Sequence, residues 1–67
     1  MEMISVSSSA ISAIGYDPTS RRMKIRFQRG STYDFCSVPQ SVFDEFISSS
    51  SKGRYYDSRI RGKYQCY

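Results

Sequence analysis

An α+β fold, a three-stranded antiparallel meander followed by two short helices packed on one sheet face, is predicted by three features of this 67-residue chain. Apolar residues recur with period two through the middle of the sequence, the period becomes helical after Pro39, and short turn-forming segments separate the strands. A chain this short buries only about 60% of the surface its unfolded form exposes, so residues 1–67 are expected to form one domain around one core.

The first strand is centred on Ser12-Ala13-Ile14-Gly15-Tyr16, with Ile14 and Tyr16 on one face. Asp17-Pro18-Thr19-Ser20 follows, with Asp and Pro where a type I turn prefers them, and pairing across that turn sets Ile14 opposite Met23. Arg22 to Phe27 alternates strictly, placing Met23, Ile25 and Phe27 on the core side and Arg22, Lys24 and Arg26 on the wet side. In Thr32 to Cys36 the apolar side is Tyr33 and Phe35. Matching the apolar faces sets Phe27 opposite Ser31, Ile25 opposite Tyr33 and Met23 opposite Phe35. That register leaves Gln28-Arg29-Gly30 as a three-residue loop, with Gly30 at the left-handed position. Met3 to Val6 is a candidate for a short extra strand outside the meander.

Val42, Phe43, Phe46 and Ile47 then form one helical stripe, with Asp44 and Glu45 on the wet side and Pro39 suited to the first turn. The Ser48 to Ser51 run ends this helix, and Ser50 or Ser51 caps a second, Lys52 to Ile60, with Tyr56 and Ile60 inward and Gly62 as its stop. An Asp57 to Arg61 pair has i, i+4 spacing, and Lys63 to Tyr67 is expected to be extended.

Composition narrows the chemistry. There is no His and no Trp, and two Cys do not make a closed four-ligand zinc site, so neither His-based acid/base chemistry nor a Cys/His nucleophile is open to this chain. Asp44 and Glu45 are helix neighbours pointing about 100° apart and cannot share a proton or a metal unaided. No enzyme activity and no cofactor are expected. Cys36 and Cys66 are expected to be free thiols in a reducing compartment, unless the last segment returns beside Cys36 and allows a bridge. No stretch approaches the roughly 18 apolar residues of a membrane span, and the N-terminus has no basic start followed by an apolar run, so a cytoplasmic protein is expected.

The succession Ser8-Ser9-Ala10-Ile11, Ile14-Gly15-Tyr16-Asp17, a strand ending at Phe27 before Gly30, Tyr33-Asp34-Phe35, Val38-Pro39 and Ser51-Lys52-Gly53-Arg54-Tyr55-Tyr56 through Ile60-Arg61 to Tyr64 resembles the KTSC domain. That family takes its name from the C-terminus of some lysyl-tRNA synthetases and also occurs as free-standing small proteins of bacteria and phages. The resemblance spans Ser7 to Tyr64; it implies the fold, and the family's fusion to synthetases suggests RNA binding as a proposed function. The chain departs from the family's central Tyr-x-Tyr at Phe35, which removes one hydroxyl and leaves packing and stacking roles intact.

The residues point the same way. Ten Lys and Arg against six Asp and Glu give +4, and the whole surplus lies after Ser50. Neutralising phosphates takes clustered cations and gripping unpaired bases takes exposed rings. The candidate contact residues are Lys52, Arg54, Tyr55, Arg59, Arg61, Lys63 and Tyr64, with Arg22, Lys24, Arg26 and Arg29 as a second stripe. Seven of the ten cations are Arg, which favours bidentate phosphate contacts. Tyr16, Phe27, Tyr33, Phe35, Phe43, Phe46 and Tyr56 are assigned to the core, and Tyr55, Tyr64 and Tyr67 to the surface. The expected partner is RNA or single-stranded nucleic acid. The alternative is a protein partner, with the domain acting as a bacterial or phage adaptor or inhibitor through the same basic surface.

Overall fold

The computed structural model describes residues 1–66. Its sheet has four strands, not three: β1 (Met3–Ser5), β2 (Ile11–Asp17), β3 (Arg22–Phe27) and β4 (Thr32–Phe35), in the order β1-β2-β3-β4 and antiparallel throughout. The extra strand pairs Met3 with Gly15, Ile4 with Ile14 and Ser5 with Ala13. Gly15 makes room for it, since a Cβ there would stand 2.7 Å from the Met3 sulfur and 3.0 Å from the Glu2 carbonyl oxygen.

β3 and β4 pair as the alternation predicts, Met23 with Phe35 and Ile25 with Tyr33. The hairpin closes with the Phe27 N–H donating to the Ser31 carbonyl (2.8 Å) and the Gly30 N–H to the Phe27 carbonyl (2.9 Å), Gly30 having φ +102°. Between β2 and β3 the register is two residues from the expected one: Ile14 faces Ile25, and Tyr16 faces Met23. A shift of two leaves every side chain on its own face, so hydrophobic alternation does not discriminate between these registers. The loop geometry does. The Asp17 carboxylate accepts from the Thr19 N–H and the Ser20 hydroxyl, both at 3.0 Å, Arg21 takes φ +58°, and pairing starts at Asp17 and Arg22. A bulge at Ser12 sets two residues of β2 against one of β3 and lets both Ile11 and Ile14 be buried despite their odd spacing.

The helix α1 (Gln40–Ser48) has Pro39 at its N-cap and buries Phe46. The expected single helix from Lys52 to Ile60 is instead two pieces, α2 (Lys52–Tyr55), capped by Ser51, and a π-helical turn over Tyr56–Ile60 closed by the Arg61 N–H donating to the Tyr56 carbonyl at 2.8 Å. The widened turn holds Ile60 in full burial. Ile11, Ile14, Met23, Ile25, Phe35, Val38, Phe46 and Ile60 form one core, with the helices on the sheet face opposite Arg22, Lys24 and Arg26. Val38 is tied in twice: its N–H donates to the Arg21 carbonyl, and its carbonyl accepts from the Tyr16 hydroxyl at 2.6 Å, while the Tyr16 ring stacks on Phe43.

The cysteines are not free. The Cys36 N–H donates to the Tyr64 carbonyl at 2.8 Å, which returns the tail to the end of β4, and Cys36 and Cys66 form a disulfide with their Cα atoms 5.0 Å apart. This overturns the free-thiol expectation by the one route it left open. Among the described residues no helix is long and apolar enough to cross a membrane.

Candidate nucleic-acid interface

A cleft separates the β3–β4 hairpin from the C-terminal helical segment. It is lined by a chain of edge-to-face rings: Phe27 meets Tyr33 at 5.5 Å and 68°, and Tyr56 at 5.1 Å and 76°, while Tyr56 meets Phe35 at 6.1 Å. The cleft comprises two hollows, about 560 Å³ and about 390 Å³, and Tyr33 and Tyr56 line both. Arg29 and Arg61 border the larger one and Lys63 the smaller. Ser9 and Ala10 wall the larger hollow, and the chain there is pinned from three sides. The Ser8 hydroxyl accepts from the Ala10 and Ile11 N–H groups, the Gln28 N–H donates to the Ala10 carbonyl, and the Gln28 side-chain amide donates to the Ser8 carbonyl. On the far side Gly53 lies inside α2, where a Cβ would rest 3.4 Å from that of Ala10. Behind the smaller hollow stands the disulfide-held tail.

Of the sequence-assigned contact residues, the fold brings Arg29, Arg61 and Lys63 to this cleft, joining one residue of the strand stripe to two of the C-terminal cluster. Arg54 and Arg59 are exposed outside it. Lys52 donates from Nζ to the Ser49 carbonyl at 2.6 Å, helping to fasten α2 to the end of α1. Arg22, Lys24 and Arg26 are exposed on the opposite sheet face, where Lys24 reaches Asp34 across the strands at 3.9 Å. Asp57, which also borders the larger hollow, pairs with Arg61 at 3.6 Å, so this acid and Asp34 each have a cation beside them. Among the described residues Arg29 and Lys63 have no ion-pair partner.

The aromatic assignments divide differently. Tyr55 is not an open platform, because its ring stacks on Phe46 at 5.5 Å and its hydroxyl donates to the Glu45 carboxylate at 2.8 Å. Burial pushes its phenol up to about 12, and the hydrogen bond to Glu45 and that carboxylate's charge add to the shift. Tyr64 is half-buried against the core, and Tyr67 lies outside the described residues. Tyr33, assigned to the core, is 52% exposed on the edge strand β4, which has a neighbouring strand on one side only. It is the ring that sequence reasoning missed. The signal that could have found it is its place two residues past Ser31 on the last strand of the sheet, where a core-facing residue has cover on one side only. Phe35, in contrast, is buried, so the missing hydroxyl at that position falls at a packing site.

A family model described as KTSC domain matches residues 7–64. A protein of Tsukamurella paurometabola is 38% identical over 60 residues, covering 90% of both chains. A lysine–tRNA ligase of Nostoc sp. is 35% identical over 57 residues, which are 85% of this chain but 10% of the ligase. The crystal structure of a KTSC domain protein from Yersinia pestis superposes with a TM-score of 0.94 at 42% identity, covering 98% of this chain and 93% of that one.

Proposed function

Because the chain belongs to the KTSC domain family, we propose that it is a small non-catalytic binding domain for RNA or other single-stranded nucleic acid, held in the Tyr33–Tyr56 cleft. The carrying observation is the convergence in one cleft of a half-exposed ring with Arg29, Arg61 and Lys63, brought together from distant parts of the chain. Rings hold unpaired bases by stacking regardless of sequence, and cations beside them neutralise the phosphates that join those bases. Arginine adds a planar fork that matches phosphate oxygens. Arg54 and Arg59, exposed on the same C-terminal segment, extend the positive field beyond the cleft. The likeness of the domain to a tenth of a lysine–tRNA ligase supports the same class of partner.

Fluorescence anisotropy with mixed-sequence single-stranded RNA and DNA tests the reading. Binding is expected at low salt and is expected to weaken linearly in log K against log salt. No binding at low salt, where counterion release helps most, would withdraw the nucleic-acid reading in favour of a protein partner for the same basic cleft.

A further inference from the structure

We infer that the cleft is a two-nucleotide site in which the Tyr33 ring wedges between two consecutive unpaired bases, an inference that rests on the nucleic-acid reading above. The geometry is specific to that arrangement. Tyr33 is the exposed ring shared by both hollows, and it stands on the β4 edge in edge-to-face contact with Phe27. Tyr56, which also lines both hollows, is held by edge-to-face contacts with Phe27 and Phe35. The ridge therefore has little rotamer freedom to lose when a base stacks on it, which favours pre-organised binding.

Each hollow has the volume of a small-ligand pocket, where about 300–1,000 Å³ is usual, and each has a cation on its border that no carboxylate pairs among the described residues: Arg29 beside the Arg61–Asp57 pair in the larger, and Lys63 in the smaller, where Asp34 is paired with Lys24. Arg29 and Arg61 on one side of the ridge and Lys63 on the other are placed for the phosphates on either side of a two-base step. Gln65 borders the smaller hollow and brings an amide donor and acceptor to a base edge there, while in the larger hollow the Gln28 amide N–H groups are committed to the Ser8 and Ile11 carbonyls and leave its side-chain oxygen as an acceptor. A duplex does not fit this shape, because its bases are stacked on one another and turned inward, leaving no gap for Tyr33. The chemistry selects single strands, in RNA and DNA alike.

Oligouridylates of one to six nucleotides, titrated into the whole domain at low salt and read by calorimetry, test the wedge. Stacking is worth about 1–3 kcal/mol per base, or roughly 5- to 150-fold in affinity. Affinity is expected to jump by that factor from one to two nucleotides, with much smaller increments beyond. Tyr33→Ala is expected to abolish the jump while leaving the salt dependence unchanged, and Tyr33→Phe to keep it. A self-complementary RNA duplex of six pairs is expected to bind more weakly than the hexauridylate. Tyr33 is half-exposed, so both variants are expected to melt near the parent, which circular dichroism checks. An even rise in affinity with length, or a jump that survives Tyr33→Ala, overturns the two-nucleotide site and leaves the wider reading standing. Failure of every oligonucleotide to bind overturns both.

Discussion

Phe46 and Tyr55 carry more of this small fold than their neighbours in sequence suggest. Phe46 is the largest fully buried side chain among the described residues, and Tyr55 covers its face at 5.5 Å with only 19° between the rings. Removing a buried phenylalanine side chain costs about 3–5 kcal/mol through lost transfer energy and the cavity left behind. Phe46→Ala is therefore expected to remove much of the stability a domain of this size possesses, read as a lowered urea midpoint, and an unchanged midpoint would show that the ring does not pack as described. Tyr55 yields a second, pH-dependent expectation. Its phenol is raised to about 12 in the fold from about 10 when unfolded, so the native state favours the protonated form. The linked stability is fully present below pH 10 and is lost as pH rises toward 12. An absorbance titration at 295 nm is expected to show one tyrosine ionising later than the ordinary phenol, and Tyr55→Phe is expected to remove that late step together with its share of the stability loss between pH 10 and 12.

At the scale of elements, what could be read in the sequence was whatever a single local pattern determines. The β3–β4 register followed from two alternating runs and Gly30, and α1 followed from its apolar stripe. The β2–β3 register expected from the sequence, Ile14 opposite Met23, is wrong by two residues because both alignments put the same residues inward, and the Asp17 carboxylate and Arg21 in a left-handed conformation decide between them. β1 was faint because it is three residues long and leaves Ile4 about half exposed. The tail was hardest, since its position depends on one backbone hydrogen bond and one disulfide thirty positions apart. A bridge closing a loop of that length stabilises by about 3–4 kcal/mol in the chain-entropy account. Cys66→Ser is expected to destabilise the domain by that order in urea denaturation under oxidising conditions, while reductant is expected to lower the parent to the same level and leave the variant unchanged.

Across the whole molecule, the sequence locates the surplus charge along the chain but not its distribution over the surface. All four units of net charge follow Ser50, yet the fold adds Arg29 from the β3–β4 turn to Arg61 and Lys63, and it sends Arg22, Lys24 and Arg26 to the other side of the sheet. Linear charge counting does not see that division, because it depends on which sheet face the helices cover. The two faces make opposite demands on a salt titration. Each phosphate neutralised on a single strand contributes about 0.7 to the slope of log K against log salt. If Arg29, Arg61 and Lys63 each meet a phosphate, replacing all three with Gln is expected to flatten the slope by about two. Replacing Arg22 and Arg26 with Gln lowers the net charge by two units but leaves the cleft intact, so its slope is expected to change by far less. Anisotropy titrations of both variants between 50 and 200 mM salt, the range over which such contacts are ordinarily lost, separate the cases. Similar flattening per charge removed in the two variants would mean that the strand responds to the net charge of the molecule and not to the cleft.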